Sequence, residues 1–268
     1  MTYITKNQQE RETLCSVVKG QWGTIGPHFL NSSQEIAGFA GVSYGLVTFS
    51  ASVALETVLR AKNIGVGDAV AVADWSDPVD AMTVSAVGAT PVFVGCGKQE
   101  ALSVAMLEGQ NLQAVIADYP CDVVALSAYC KEHNLYFILN LWDTWGAKAD
   151  GQSVCRLADA CVVDMSQGCV LDLGLCGGVL TDSKEDFDLF YAYHNCGRPM
   201  GDGATLTFDD IVGGDLRVAE FQASLIPARL AQLSQVVTDE GIGVKQTRAF
   251  MANAPFFQTD YYKKLTAK

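Results

Sequence analysis

Cys155, Cys161, Cys169 and Cys176 form the tightest cysteine grouping in the sequence. Thiols gathered in this way point to two chemistries, metal ligation and nucleophilic attack. Zinc and iron–sulfur sites usually place two ligands within one short turn. None of the nine cysteines has CxxC spacing, so no metal is expected. A nucleophile needs a thiolate, made by a neighbouring base or a positive environment. Cys169 is the candidate, with His194 or Asp143 as its helper. The loop around it, Asp164-Met165-Ser166-Gln167-Gly168-Cys169-Val170-Leu171-Asp172, is acidic and apolar, which pushes the other way. A buried thiol is therefore the weightier reading of Cys169, and a structural role the weightier one for His194. His28 and His133 read as surface or helix-end residues. Trp142 and Trp145 flank Asp143 and either line a pocket or fill one.

These residues need a scaffold, and its alternation is legible. Apolar strands read at 69–73, 90–94, 114–117, 136–139, 160–163 and 179–181. Helices read at 54–62, 78–87, 123–133 and 184–193. Short strands bounded by Gly, Pro and Asp, with amphipathic helices between them, predict βαβ units and a mostly parallel sheet. The segment 216–237 reads as one long helical stretch, kinked or broken at Pro227. Residues 254–268 are aromatic and then basic. The uncharged stretch 36–55 has a spanning helix's length, but glycines and serines interrupt it. It reads as a loop, a strand and a helix start rather than a membrane span.

The chain has 268 residues, 49% of them hydrophobic, and a net charge of −12, so a sizeable core is expected and disorder is not. The acidity argues against nucleic acid and anionic membranes as partners, because phosphates are bound by basic surface. Only 18% of residues are charged, against a globular average of about 25%, which points to a covered surface. The polar start shows no apolar signal segment, so a cytoplasmic protein with reduced thiols is expected.

Several ordered motifs then resemble one family. Val18-Lys19-Gly20-Gln21-Trp22 with Ile25-Gly26-Pro27 is similar to its opening loop. Ala54-Leu55 and Ile64-Gly65-Val66-Gly67-Asp68 resemble its first helix and turn. Val87-Gly88-Ala89-Thr90-Pro91-Val92-Phe93-Val94 is close to a signature. Gly146-Ala147, Gly177-Gly178 and the Arg217, Glu220, Gln222, Ala223 pattern follow in order. Over roughly residues 15 to 237 the chain resembles the DegT/DnrJ/EryC1/StrS aminotransferases, pyridoxal phosphate enzymes of fold type I, and most of all their aminocyclitol and aminohydroxybenzoate branch. The fold implied is α/β, the aspartate aminotransferase-like large domain, with a seven-stranded, mostly parallel sheet between helices. The expected domains are a large domain over 1–240 and a residual C-terminal segment over 241–268, the family's small C-terminal domain being largely missing.

The resemblance also implies a damaged site. The family's Schiff-base lysine falls at Cys169, and no lysine lies between Lys148 and Lys184. The aspartate on the pyridinium nitrogen falls at Asn140-Leu141, with Asp143 two residues on. Ala51-Ser52 take the place of the phosphate-binding helix start. The phosphate serine becomes Asp164, and the asparagine that reaches the partner's phosphate becomes Asp215. The stacking aromatic falls at Asp77, with Trp75 nearby to stand in, and Gln167 completes the degenerate pocket. A carboxylate a few ångströms from a phosphate costs about 1–4 kcal/mol. No cofactor is therefore expected. Trp22, Asp215 and Arg217 fall where the family faces its partner subunit.

The leading expectation is a pseudo-aminotransferase, a non-catalytic subunit in a homodimer or in a heterodimer with a full-length family aminotransferase of a biosynthetic pathway. The alternatives are a repurposed enzyme or small-ligand binder using the vacated pocket, and a residual pyridoxal- or pyridoxamine-phosphate aminotransferase or dehydratase.

Overall fold

Runs such as Ala69–Ala73 and Ala114–Asp118 carry small and β-branched side chains on both faces, which suits strands covered from both sides. The computed structural model describes residues 8–20, 23–95, 101–142, 144–201, 211–233 and the backbone of 249–250. Seven strands form one sheet: β1 (Tyr44–Thr48), β2 (Ala69–Ala73), β3 (Thr90–Val94), β4 (Ala114–Asp118), β5 (Tyr136–Trp142), β6 (Ala160–Asp164) and β7 (Gly177–Thr181). Their spatial order is β1-β7-β6-β5-β4-β2-β3. All neighbours are parallel except at β7, which runs antiparallel to β1 and β6. The α/β sheet expected from the sequence is present.

Eight α-helices are described: α1 (Gln8–Lys19), α2 (Pro27–Ala40), α3 (Ala51–Ala61), α4 (Pro78–Ala86), α5 (Val123–Glu132), α6 (Lys184–His194), α7 (Glu220–Ala223) and α8 (Ile226–Leu233). Their starts follow side-chain caps. Ser50 accepts from the Val53 amide, Asp77 from Val79, Asp122 from Ala125 and Ser183 from Asp186. The first of these starts α3 three residues before the expected 54. Consecutive residues of a strand face opposite sides of the sheet, and Gly177 meets Ala51 of α3 while Gly178 meets Ile36 of α2. Helices α2 and α3 therefore cover opposite faces. None of the described helices is long and apolar enough to cross a membrane.

Three expectations need correction. Residues 36–40 are not loop but the last turn of α2, closed by Gly41 in the left-handed region at φ 75°. Strand β5 runs to Trp142 rather than ending at 139. The segment 216–237 is not one long helix. Residues 215, 217 and 219 make extended bridges to Asn195, Thr48 and Thr24, and helix begins only at Glu220. Pro227 then sits in the first turn of α8, where its missing amide costs nothing.

Glu220 explains that late start. Its buried carboxylate accepts from the amides of Gly26 at 3.0 Å and Phe29 at 3.2 Å, and from that of His28. These are the orphan donors at the start of α2, where a negative charge also meets the helix dipole. Glu220→Ala leaves the amides buried without a partner and is expected to cost about 2–3 kcal/mol in urea unfolding. An unchanged unfolding midpoint would contradict this role.

Candidate functional site

Open parallel sheets bind ligands outside the carboxyl ends of their strands. Here that end gathers Asp77, Asp80, Asp118, Asn140, Asp164 and the loop after β6. Asp164 is the register partner of Gly177, and Gly177 faces the start of α3. Directly paired residues share a face, so Asp164 lies on the α3 side of the sheet. Its carboxylate accepts from the Ser166 amide at 2.8 Å. At the start of α3, Ala51 is buried, and the Ser50 and Ser52 hydroxyls are 2.9 Å apart. Asp77 caps α4. Burial raises its carboxyl, the Val79 amide opposes that rise and Asp164 adds to it. Trp75 is half-buried and pairs through its backbone with Phe250.

The loop after β6 folds back on itself. Gln167 donates its amide to Gly174, Leu173 donates to Met165, and Met165 donates to Cys176. Gln167 is exposed, and Cys169 is half-buried with its sulfur 3.8 Å from the Ser166 hydroxyl. His194 is fully buried and stacks on Phe29 at 5.7 Å. Burial, with the Arg217 cation beside it, pushes the imidazole down to about 3, so it stays neutral. Asp215 and Arg217 form their own ion pair at 2.7 Å, which lowers the Asp215 carboxyl. Trp22 and Asp143 lie outside the described residues. Among the described residues no group of His, Cys, Asp and Glu is placed to hold a metal ion.

The sequence reading put Leu141 in this crevice, and the structure does not. Alternation along β5 turns Leu141 into the core at 1% exposure. The neighbouring Asn140 shares the crevice face with its register partners Asp118 and Val162. Its amide donates to Asp80 at 3.0 Å, while the Trp142 indole donates to Asp118 at 3.1 Å. Asp80 and Asp118 are a pair that sequence reasoning missed. The available signal was an acid three residues after the cap Asp77, on the turn of α4 that also buries Ala81 and Val84.

Burial, then the charges of Asp118 and Asp77, raise the Asp80 carboxyl well above the ordinary range. The Asn140 amide opposes this, and a hydrogen bond shared with Asp118 reinforces it. Burial and like charge thus both favour the protonated form of Asp80. A carboxyl with a raised folded-state pKa makes folding take up a proton, so its contribution falls as pH rises from acid toward neutrality. Asp80→Asn keeps the acceptor for Asn140 and supplies a permanent donor toward Asp118. Thermal unfolding is expected to show little difference in acid and a more stable variant at neutral pH. A variant less stable at neutral pH would sink the assignment.

The surroundings of this crevice have known counterparts. A family model described as the DegT/DnrJ/EryC1/StrS aminotransferase family matches residues 5–261. The chain is 29% identical over 240 residues to an L-glutamine:2-deoxy-scyllo-inosose aminotransferase of Streptomyces paromomycinus, covering 82% of this chain and 57% of that protein. It is 26% identical over 241 residues to a 3-amino-5-hydroxybenzoate synthase of Amycolatopsis mediterranei, covering 86% and 60%. The chain thus spans about three-fifths of the length of these relatives. In structure it is similar to an aminotransferase from Psychrobacter cryohalolentis, with a TM-score of 0.80 at 21% identity over 88% of this chain and 64% of that one. The fold is that of the pyridoxal phosphate-dependent aminotransferases, and the chain belongs to the DegT/DnrJ/EryC1/StrS aminotransferase family.

Proposed function

We propose that this chain is a non-catalytic member of its family, working in the cytoplasm as a subunit alongside an active aminotransferase of the same family. The observation that carries the reading is the loop after β6. The loop brings Ser166 and Cys169 together, and the sequence has no lysine between Lys148 and Lys184. A transaminase needs an amine there to form a Schiff base and shuttle protons.

The donor set around the crevice does not fit a phosphate-bearing cofactor either. The start of α3, the natural seat for an anion, shares its side of the sheet with Asp164. Asp164 and Asp77 already interact as like charges. Deeper in, the Asn140 amide is taken by Asp80, and Asp118 accepts from the Trp142 indole.

Support for a partner comes from exposed apolar side chains near the same crevice. Phe49, Leu175 and Phe221 are 44%, 53% and 51% exposed. Phe49 adjoins Leu216 through a backbone hydrogen bond, and Leu175 adjoins the neighbour of Phe221, Gln222. Apolar side chains grouped in this way mark contact surfaces. Asp215 and Arg217 lie beside them and pair within their own chain.

Co-expression with a full-length family aminotransferase is expected to yield a complex that elutes together, with no cofactor absorbance contributed by this chain. A monomer that leaves such an enzyme's stability and rate unchanged would overturn the reading. A visible absorbance band from this chain alone, after soaking with pyridoxal phosphate, would instead support residual cofactor chemistry. A second reading, a thiol-based activity in the vacated pocket, rests on the half-exposed Cys169 beside Ser166. Under the subunit reading, Cys169→Ala leaves every property of the complex unchanged.

A further inference from the structure

A second cavity lies away from the crevice. Thr48, at the end of β1, pairs with Gly177 at the crevice, so Tyr44 at its start lies at the opposite end of the sheet. There α2, β1 and α6 enclose a cavity of about 270 Å³. Its size suits a fragment-sized molecule rather than a large one.

The walls are aromatic and aliphatic. Phe187 and Tyr191 come from one face of α6, Phe29 from α2, and Tyr44 and Leu46 from β1. Tyr44 and Phe187 stack on each other at 5.1 Å and form one aromatic wall. Leu30 and Met200 stand at the rim and are 44% and 48% exposed, apolar surface that nothing in the described chain covers.

The charge of the cavity departs from that of the molecule. The chain carries −12, yet among the described residues that line this cavity the charged side chain is Lys184, with the Asp182 carboxylate held on the lining residue Ser43. Lys184 sits at i, Phe187 at i+3 and Tyr191 at i+7, so ammonium and rings share one face of α6. The charged groups acting on Tyr191 are two cations, Arg198 and Arg217. Among the described residues Lys184 is held by Asp188, one turn along on the exposed surface. Such an exposed pair contributes little and is readily exchanged for another carboxylate.

We propose that this cavity binds a small aromatic carboxylate, its ring between the aromatic walls and its carboxylate on Lys184. The inference does not depend on the function proposed above, because no residue of the crevice takes part. The test is calorimetric titration of the full chain with phenylacetate, its neutral amide phenylacetamide, and acetate. Phenylacetate is expected to bind, the amide about tenfold more weakly, and acetate not measurably. Lys184→Gln should bring phenylacetate down to the level of the amide and leave the amide unchanged. Leu30→Trp, which fills the rim, should abolish binding of both, with circular dichroism and thermal unfolding checking that each variant stays folded. Three results would each overturn the proposal: no binding of phenylacetate, equal affinity for the acid and its amide, or a Lys184→Gln protein that binds phenylacetate as before.

Discussion

Gly177 and Gly178 stand side by side on β7 and face opposite sides of the sheet, Gly177 against the start of α3 and Gly178 against α2. A Cβ at Gly177 would lie 2.3 Å from the Ala51 nitrogen, and one at Gly178 would lie 3.0 Å from Ile36 Cδ1. Gly45, on the neighbouring strand, would meet the Ser33 carbonyl of α2 at 2.5 Å. The contacts of Gly177 and Gly45 are with backbone, which cannot give way, whereas Ile36 would have to shift slightly for a side chain at Gly178. The separation of α2, sheet and α3 is therefore set by missing side chains. The amide end of α3 is thereby pressed against the ends of β6 and β7, where Asp164 sits. The place of the crevice, and the positive helix end beside it, follow from this packing and not from any residue with chemistry of its own.

The carboxylates then respond to the frame. A helix start favours an anion. Asp77 caps α4, and Asp164 ties its own turn through Ser166 on the side of the sheet that carries α3. Below them the sheet offers little water, so a further pair of ionised acids would be costly. Burial and the Asp118 charge raise the Asp80 carboxyl, while the Asn140 amide donates to Asp80 and the Trp142 indole to Asp118. The crevice is thus organised by hydrogen bonds among its own acids, in a place where an anionic guest would add one more negative group.

The strands were legible because strand periodicity and flanking turns are local signals. The expected 69–73 and 90–94 match β2 and β3 residue for residue. Helix α2 was not legible, since its N-cap Gly26 offers no side chain and its stabilising carboxylate lies at Glu220, nearly two hundred residues away in the chain. The same long-range bond broke the expected helix over 216–237. In the crevice, the carboxylates Asp77 and Asp164 were named from the resemblance, and the Asp164 charge adds to the rise of the Asp77 carboxyl. Asp80 was missed, because an acid in the first turn of a helix ordinarily reads as a favourable charge for the dipole. Leu141 was misplaced by one residue, and in a strand one residue is the whole difference between crevice and core.

The loop that carries Cys169 shows why such a site can change while the fold persists. Its far side is fastened by three helices. The Gln222 amide on α7 donates to the Leu175 carbonyl at 2.7 Å. Arg229 on α8 donates to the carbonyls of Leu171 and Asp172, and its remaining face pairs with Glu10 of α1 at 2.9 Å. Both charged side chains are buried, so each requires the other, and the loop carbonyls complete the guanidinium's set of acceptors. None of these bonds involves the side chains of residues 164, 166 or 169. Asp164 and Ser166 tie only the loop's first turn, through the Ser166 amide on the Asp164 carboxylate. The geometry of the loop is held from behind, which leaves the chemistry at its front free to differ from that of its relatives.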